Sequence, residues 1–377
     1  MGSSTAGVMR EEIRGSEGVQ RDLQLQMKLL GPRVPAYGRL LRCILERISG
    51  PARDTAFRNR LEAAWNGRSF EAYYARPLLL LASLRADVLS DGRDHPLWAA
   101  IGEGESDPAA VTPEAVKDAL NERRLGVWMS LRTRSVQTNE VSRGVTWQLP
   151  AALAGAGDGG RRVTLVDVGA SAGLNLVADR LDLTWVDQHS QPVPVARFVD
   201  APIRLGIDKS PLDVSDARDA AWLRACVWPG EHIRLARLSA AIESFRRAPE
   251  PRPRVERANI ASLRRILGEL GQPRGNGLLI VYQTLVSGYL SAAERRDHDA
   301  TMRSILGEGP AGHILWAELE VCGDPDGRAE PARLRVHVSP GDGRVEAFDI
   351  AYTGYHPERL VIDAASMSGL SSIVSRP

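Results

Sequence analysis

The sequence predicts an α/β protein in which an all-helical region precedes a doubly wound, mainly parallel sheet that ends in an antiparallel hairpin. Three observations carry this expectation. From Asp22 to about Pro150, apolar residues recur at three- and four-residue spacing, as at Leu40, Leu41, Ile44 and Leu45 and at Leu120, Leu125, Val127 and Trp128. Beyond residue 160, short strand-like runs alternate with helical stretches, the pattern of a parallel sheet with crossover helices. Near the end, Arg333–Val338 and Val345–Tyr352 flank Pro340-Gly341-Asp342-Gly343, which reads as a hairpin.

Residues 1–19 are small and polar and are expected to form a disordered tail. Residues 20–155 make the helical domain, expected to act as a cap or substrate domain and broken into short helices by Pro32, Pro35, Pro51, Pro77, Pro96 and Pro113. Ala154–Gly160 reads as a flexible joint, and residues 160–377 form the sheet domain. Its strands are expected at Val163–Val168, Ile203–Ile207, Arg254–Arg257, Leu278–Tyr282 and Ile314–Leu319, with an inserted excursion at Leu183–Asp200 carrying a strand-like Val195–Val199.

The chain has 377 residues, of which 43% are hydrophobic and 25% charged, enough for a substantial core without disulfide or metal staples. Forty-eight basic against 47 acidic side chains give a net charge of +1, which argues against a dedicated nucleic-acid surface. Cys43, Cys226 and Cys322 are far apart with no CxxC, so neither a disulfide framework nor a metal site is expected. The apolar run Pro77–Leu84 is far short of the ~20 residues that span a bilayer. The first dozen residues lack a signal peptide's apolar stretch, and Ala6 breaks the myristoylation pattern, so a cytoplasmic protein without membrane partners is expected.

The most informative segment is Asp167-Val168-Gly169-Ala170-Ser171-Ala172-Gly173-Leu174-Asn175-Leu176, a buried strand entering a small-residue turn and then a helical pattern. Small residues let a ligand approach the backbone, and a helix N-terminus offers unpaired N–H groups. Close strand–helix packing explains the same residues equally simply. Gly169–Gly173 also fits G-x-S-x-G, the turn that exposes a nucleophilic serine in α/β-hydrolases, with Asp297, His298, His337 and His356 as partners for Ser171. The helical character before residue 160, where a hydrolase needs strands and an oxyanion loop, weighs against that reading. The next strand runs Ile203–Ile207 into Asp208, a position from which a carboxylate can hold a ribose, although it lies farther from the glycine turn than the usual ~20 residues. Asp208 capping its own turn is the plain alternative.

These residues resemble the class I S-adenosylmethionine-dependent methyltransferases over about residues 160–360. Asp167-x-Gly169-x-Ser171-x-Gly173 is similar to the first motif, with serine for the middle glycine, and Gly206-Ile207-Asp208 to the second strand. Gly277–Thr284 and Gly312-His313-Ile314-Leu315-Trp316 are similar to strands four and five. Within that superfamily the whole chain resembles a bacterial family of uncharacterised proteins, through Gln137–Val141, Gly169–Leu176, Gly206–Asp213 and Trp222–Pro229. The resemblance implies a Rossmann-like methyltransferase fold with S-adenosylmethionine as cofactor. It places Asp167, Gly169, Ala170, Ser171, Gly173 and Asn175 at the methionine end and Asp208 at the ribose. It also places Asn259 at the adenine, where the pattern often has an acid.

Gln137-Thr138-Asn139-Glu140 precedes an apolar-periodic helix with Arg143 and Trp147. It reads either as an N-terminal cap or as the border of the cofactor site, with Asn139 or Arg143 holding the methionine carboxylate. Trp222–Pro229 reads as core, with Cys226 a packing residue. His356, in a turn after the hairpin, is a candidate general base, and Gln283, Tyr289 and Glu318, near strand ends, are candidates for positioning the acceptor. The expected function is methyl transfer to a small-molecule acceptor. A serine hydrolase using Ser171, or a non-catalytic protein that binds S-adenosylmethionine, are the alternatives.

Overall fold

The structure, a computed structural model, describes residues 16–51, 53–70, 72–157, 160–323 and 330–375. Two compact units emerge, one of residues 1–138 with 217–236 and the other of residues 139–216 with 237–377. Neither boundary follows the sequence division at 155–160. The helix Val145–Leu153 goes with the sheet, and Ala217–Ala236 goes with the helical unit. Of the expected disordered tail, residues 1–15 lie outside the described residues, whereas the first helix already begins at Ser16.

The helical unit carries α1 (Ser16–Leu30), α2 (Pro35–Ser49), α3 (Thr55–Trp65), α4 (Ala75–Asp91), α5 (Trp98–Ile101), α6 (Pro113–Ala119) and α7 (Leu125–Thr133). Prolines at the first position of α2 and α6 start helices, as expected for a residue that lacks the N–H a first turn leaves unpaired. Asp54 and Thr112 cap α3 and α6 by accepting the Phe57 and Ala115 N–H groups. The apolar run read at 77–84 is the buried body of α4. Among the described residues no helix is long and apolar enough to cross a membrane.

In the second unit α8 (Val145–Leu153) leads into β1 (Val163–Val168) and β2 (Ile203–Asp208). α9 (Ala217–Cys226) belongs to the helical unit, and α10 (His232–Arg246) straddles the division. Then follow β3 (Arg254–Arg257), α11 (Leu263–Leu270), β4 (Leu278–Thr284), α12 (Ala292–Glu308), β5 (Ile314–Val321), β6 (Ala332–Val338), β7 (Glu346–Thr353), β8 (Leu360–Ile362) and α13 (Ala364–Val374). The described strands form one eight-stranded sheet in the order β3-β2-β1-β4-β5-β6-β7-β8. Pairing is parallel from β3 to β5 and antiparallel from β5 to β8. The order 3-2-1-4-5 reverses between β1 and β4, the switch point outside whose carboxyl ends doubly wound sheets take ligands.

Strict alternation sorts each strand's side chains to two faces. Val166, Val168, Leu205, Ile207, Val281 and Trp316 share a core with Leu263, Ile266 and Leu267 of α11 and Met302, Ile305 and Leu306 of α12. On the opposite face Trp147 of α8 lies 6.5 Å from the Tyr282 ring.

Two expectations fail, for related reasons. Val195–Val199 is not a strand. After the glycine turn the chain forms only a 3-10 segment, Leu174–Arg180, in place of a regular helix. Both regions are tied down by a buried ion pair. Arg204 on β2 meets Asp179 at 2.7 and 2.8 Å and also donates to the Leu176 and Val199 carbonyls. Asp179 in turn accepts the Val199 N–H at 2.9 Å. The two side chains thus meet the Leu176 carbonyl and both backbone groups of Val199.

Candidate functional site

The carboxyl ends of β1 and β2 meet at the glycine turn. Gly169, Ser171 and Gly173 have φ of 76°, 55° and 72°, so three alternate residues adopt left-handed backbone. That is free for glycine and costly for serine. The glycines are also where neighbours come closest. A Cβ on Gly169 would meet Val286 Cγ2 at 2.6 Å, one on Gly173 would meet Val255 Cγ2 at 2.6 Å, and one on Gly206 would meet the Ala170 Cβ at 2.6 Å.

Each backbone N–H of the turn has a partner within the protein. Gly169 and Ala170 donate to the Ile207 carbonyl at 2.9 and 3.1 Å, and Gly173 donates to that of Ala170 at 2.7 Å. Ser171 donates to Asp208 Oδ2 at 2.8 Å and Ala172 to Asn139 Oδ1 at 3.3 Å. Gly169–Gly173 therefore offers no row of open N–H groups to a phosphate. Acceptors stand there instead. Asp208 holds the Ser171 N–H with one oxygen and the Ser210 N–H with the other, and each oxygen retains a further lone pair. Asn175 is only 9% exposed, its carbonyl accepts the Trp147 indole N–H, and its Oδ1 is buried with no donor.

Asp167 stands one strand inward, paired across the sheet with Gly206 and Tyr282. It is buried and accepts the Tyr282 hydroxyl at 3.0 Å. Burial pushes its carboxyl up to about 8, the Tyr282 hydrogen bond opposes this, and the Asp208 charge adds to it. Its side chain is committed to this pairing, whereas the resemblance implied a contact with the methionine end.

The Asn139–Gly144 segment joins the turn to the far hairpin. Asn139 Nδ2 donates to Ser171 Oγ at 2.6 Å. Glu140, and not Thr138 or Asn139, caps the 3-10 turn Val141–Gly144 by accepting the Ser142 N–H and hydroxyl. Arg143 is buried and its Nε donates to the Tyr355 carbonyl at 2.9 Å, anchoring the turn that carries His356. His356 Nδ1 lies 3.3 Å from Glu140 Oε2. Asn139, Gly169–Gly173 and Asp208 thus converge on one turn, while Glu140, Arg143 and His356 form a continuation of it.

Of the other three expected residues, Asn259 stays at this edge, one residue past Ala258, whose N–H donates to the Asp208 carbonyl at 3.0 Å. Asn259 follows β3, is exposed, and caps its own 3-10 turn by accepting the Ala261 N–H at 3.2 Å. Tyr289 is 57% exposed in the loop after β4. Gln283 is fully buried on the α11–α12 face. Its Nε2 donates to Glu320 Oε1 at 2.9 Å, and its Oε1 meets His298 Nε2 at 2.7 Å and the Trp316 indole N–H at 3.4 Å. Gln283 is therefore a strut inside the sheet, not an acceptor-facing group. The same network was not legible in sequence. Glu320 accepts the Val286 and Ser287 N–H groups and so holds the loop whose Val286 lies on Gly169, and burial raises its carboxyl. Glu318, expected only as an acceptor-positioning residue, bonds His337 at 2.6 Å.

In the helical unit, Trp222, Leu223 and Ala225 are core as expected, and burial pushes the Cys226 thiol up to about 11, leaving it inert near neutrality. Among the described residues no group of three or more His, Cys, Asp or Glu is placed to hold a metal ion.

Fold and site together define an α/β protein with a parallel switch-point edge and an acceptor-lined turn. Residues 33–361 match the model of DUF2332, described as an uncharacterized protein conserved in bacteria, and the chain belongs to that family. No curated protein matches the chain.

Proposed function

We propose that this chain binds S-adenosylmethionine at the carboxyl edge of β1 and β2 and transfers its methyl group to a small-molecule acceptor. The observation that carries the proposal is the inverted polarity of the turn: its donors are spent and its acceptors remain. That polarity suits a ligand carrying positive charge and N–H or O–H donors, and disfavours a dinucleotide held by its phosphates. The unpartnered Asn175 Oδ1 fits the same ligand, because a buried acceptor without a donor costs about 1–3 kcal/mol that an ammonium can recover.

S-Adenosylmethionine supplies a methyl group on a cationic sulfur, open to in-line displacement. Asp208 takes ribose hydroxyls with its remaining lone pairs, and Asn175 takes the amino group. Asn139 keeps Ser171 and Ala172 in place, and Asn259 lies at the end of the neighbouring strand for the adenine. Catalysis of such a displacement rests mainly on alignment. A net charge of +1 favours a small acceptor over nucleic acid.

Calorimetric titration with S-adenosylmethionine tests the proposal. Saturable binding that Asp208→Ala weakens at least tenfold supports it; absence of heat from folded wild type removes it. Binding without turnover on any acceptor leaves a non-catalytic binding protein.

One observation favours a second reading. Ser171 has a φ of 55°, the kind of strained backbone that holds a nucleophilic serine. Its Oγ accepts the Asn139 amide N–H at 2.6 Å. Labelling of Ser171 by a fluorophosphonate would establish the hydrolase, and an unlabelled folded protein would exclude it.

A further inference from the structure

We propose that Glu140 and His356 form a base pair of residues for the transfer, His356 taking the acceptor's proton and Glu140 positioning it. This rests on the methyl-transfer reading above, and it narrows the acceptor to a small molecule whose accepting oxygen or nitrogen carries a proton.

Three observations converge. Glu140 is 2% exposed, and its Oε1 is committed to the Ser142 N–H and hydroxyl, so the carboxylate is fixed in direction. Its Oε2 lies 3.3 Å from His356 Nδ1, within ion-pair range without the alignment of a full hydrogen bond. Apo acid–base pairs are often loose in this way and tighten on the reacting complex. Nδ1 is buried while the ring as a whole is 38% exposed, so the exposed edge is the one opposite Glu140. Arg143 holds the backbone of the same turn through the Tyr355 carbonyl. Finally, Asn139, the residue next to Glu140, bonds both Ser171 and Ala172, which ties the pair to the glycine turn.

A buried carboxylate orienting one imidazole nitrogen leaves the other to act as base. In the transfer, the accepting atom forms a bond to the methyl carbon as the carbon–sulfur bond breaks with its electrons onto sulfur. The acceptor's proton goes to His356 Nε2. A neutral acceptor, a sulfonium and a neutral imidazole become a methylated acceptor, a thioether and an imidazolium, so atoms and charge balance. A thiolate or other already anionic acceptor would need no such pair.

The charged groups about His356 are Glu140 and Arg143 from the 3-10 turn and, on its own segment, Glu358, which pairs with Arg237, and Arg359, which donates to the Gln188 carbonyl. The test uses the full chain in two measurements. Ring nitrogen signals measured by nuclear magnetic resonance, assigned with His356→Gln, are compared between wild type and Glu140→Gln. In wild type the neutral ring is expected to carry its proton on Nδ1, towards Glu140, and Glu140→Gln to lose that preference, whereas Glu140→Asp, which keeps the charge and serves if the glutamine variant fails to fold, keeps most of it. An unchanged tautomer in a folded Glu140→Gln overturns the positioning role. Calorimetry with S-adenosylmethionine in two buffers of different ionisation heat then counts the protons released on binding. Wild type should release protons because the ligand's positive charge faces the ring, and His356→Gln should not. Equal proton counts in the two proteins overturn the base role. No heat of binding in wild type removes the methyl-transfer reading and the base role with it, while the ring tautomer still decides the pair.

Discussion

Asp208 and Ser171 are joined by a 2.8 Å hydrogen bond from the serine N–H to the carboxylate, made at the one non-glycine left-handed residue of the turn. The bond spans 37 residues of sequence and clasps the carboxyl ends of β1 and β2. Asp208→Ala leaves a buried N–H without an acceptor, a loss of about 1–3 kcal/mol. Urea denaturation is expected to show that loss. A melting curve superposable on wild type would mean that the clasp contributes nothing to the fold.

Gly169 sits beneath Val286. Gly169→Ala combines a left-handed φ of 76° with a 2.6 Å approach to Val286 Cγ2. The backbone part alone costs about 1–2 kcal/mol. Val286→Ala should recover the steric part and not the backbone part, so a double-mutant cycle gives a favourable coupling of the two changes. Additive effects would show that Val286 does not restrain the turn.

Asp167 makes stability depend on pH in an unusual direction. Its carboxyl titrates near 4 when unfolded and at about 8 when folded, so over that interval the folded state binds the extra proton. Stability is therefore full below the unfolded value and falls as pH rises towards 8, by up to about 1.4 kcal/mol per pH unit. Asp167→Asn should flatten the dependence and keep an acceptor for Tyr282. Equal slopes between pH 5 and 8 for the two proteins would contradict the assignment.

The Arg204–Asp179 pair is buried at both ends and holds three backbone groups of Leu176 and Val199 in place. Asp179→Ala strands a buried guanidinium and should cost about 3–5 kcal/mol. Replacing both residues by apolar ones should cost less than the single change. Proteolysis within 181–200, measured alongside, is expected to accelerate in the single variant first.

Much of the sheet was legible because its strands announce themselves. Arg254–Arg257 is observed as expected, and Ile203, Leu278 and Ile314 each begin a strand where an apolar run begins. The antiparallel end followed from turn residues around Gly341 and Gly343, both at positive φ. The three-residue β8 escaped, since nothing at Leu360–Ile362 has enough length to alternate. Residues that depend on distant partners were the least legible. The excursion after residue 180 is shaped by Arg204, twenty-odd residues away, and Gln283 looks in sequence like a strand-end polar group. Only pairing across β4 and β5, with His298 reaching from α12, makes it a buried strut. The site divides in the same way: Gly169, Ser171 and Asp208 were visible as a local pattern, whereas Glu140 and Val286 matter through contacts that no local spacing encodes.

The polarity of the glycine turn is the centre of the account, and competition between two ligands tests it most directly. Folded wild type should bind S-adenosylmethionine in a calorimetric titration, with NAD neither giving heat nor displacing it. Binding of NAD with no binding of S-adenosylmethionine would contradict the account, because it would require phosphate-holding donors where the turn has already spent them.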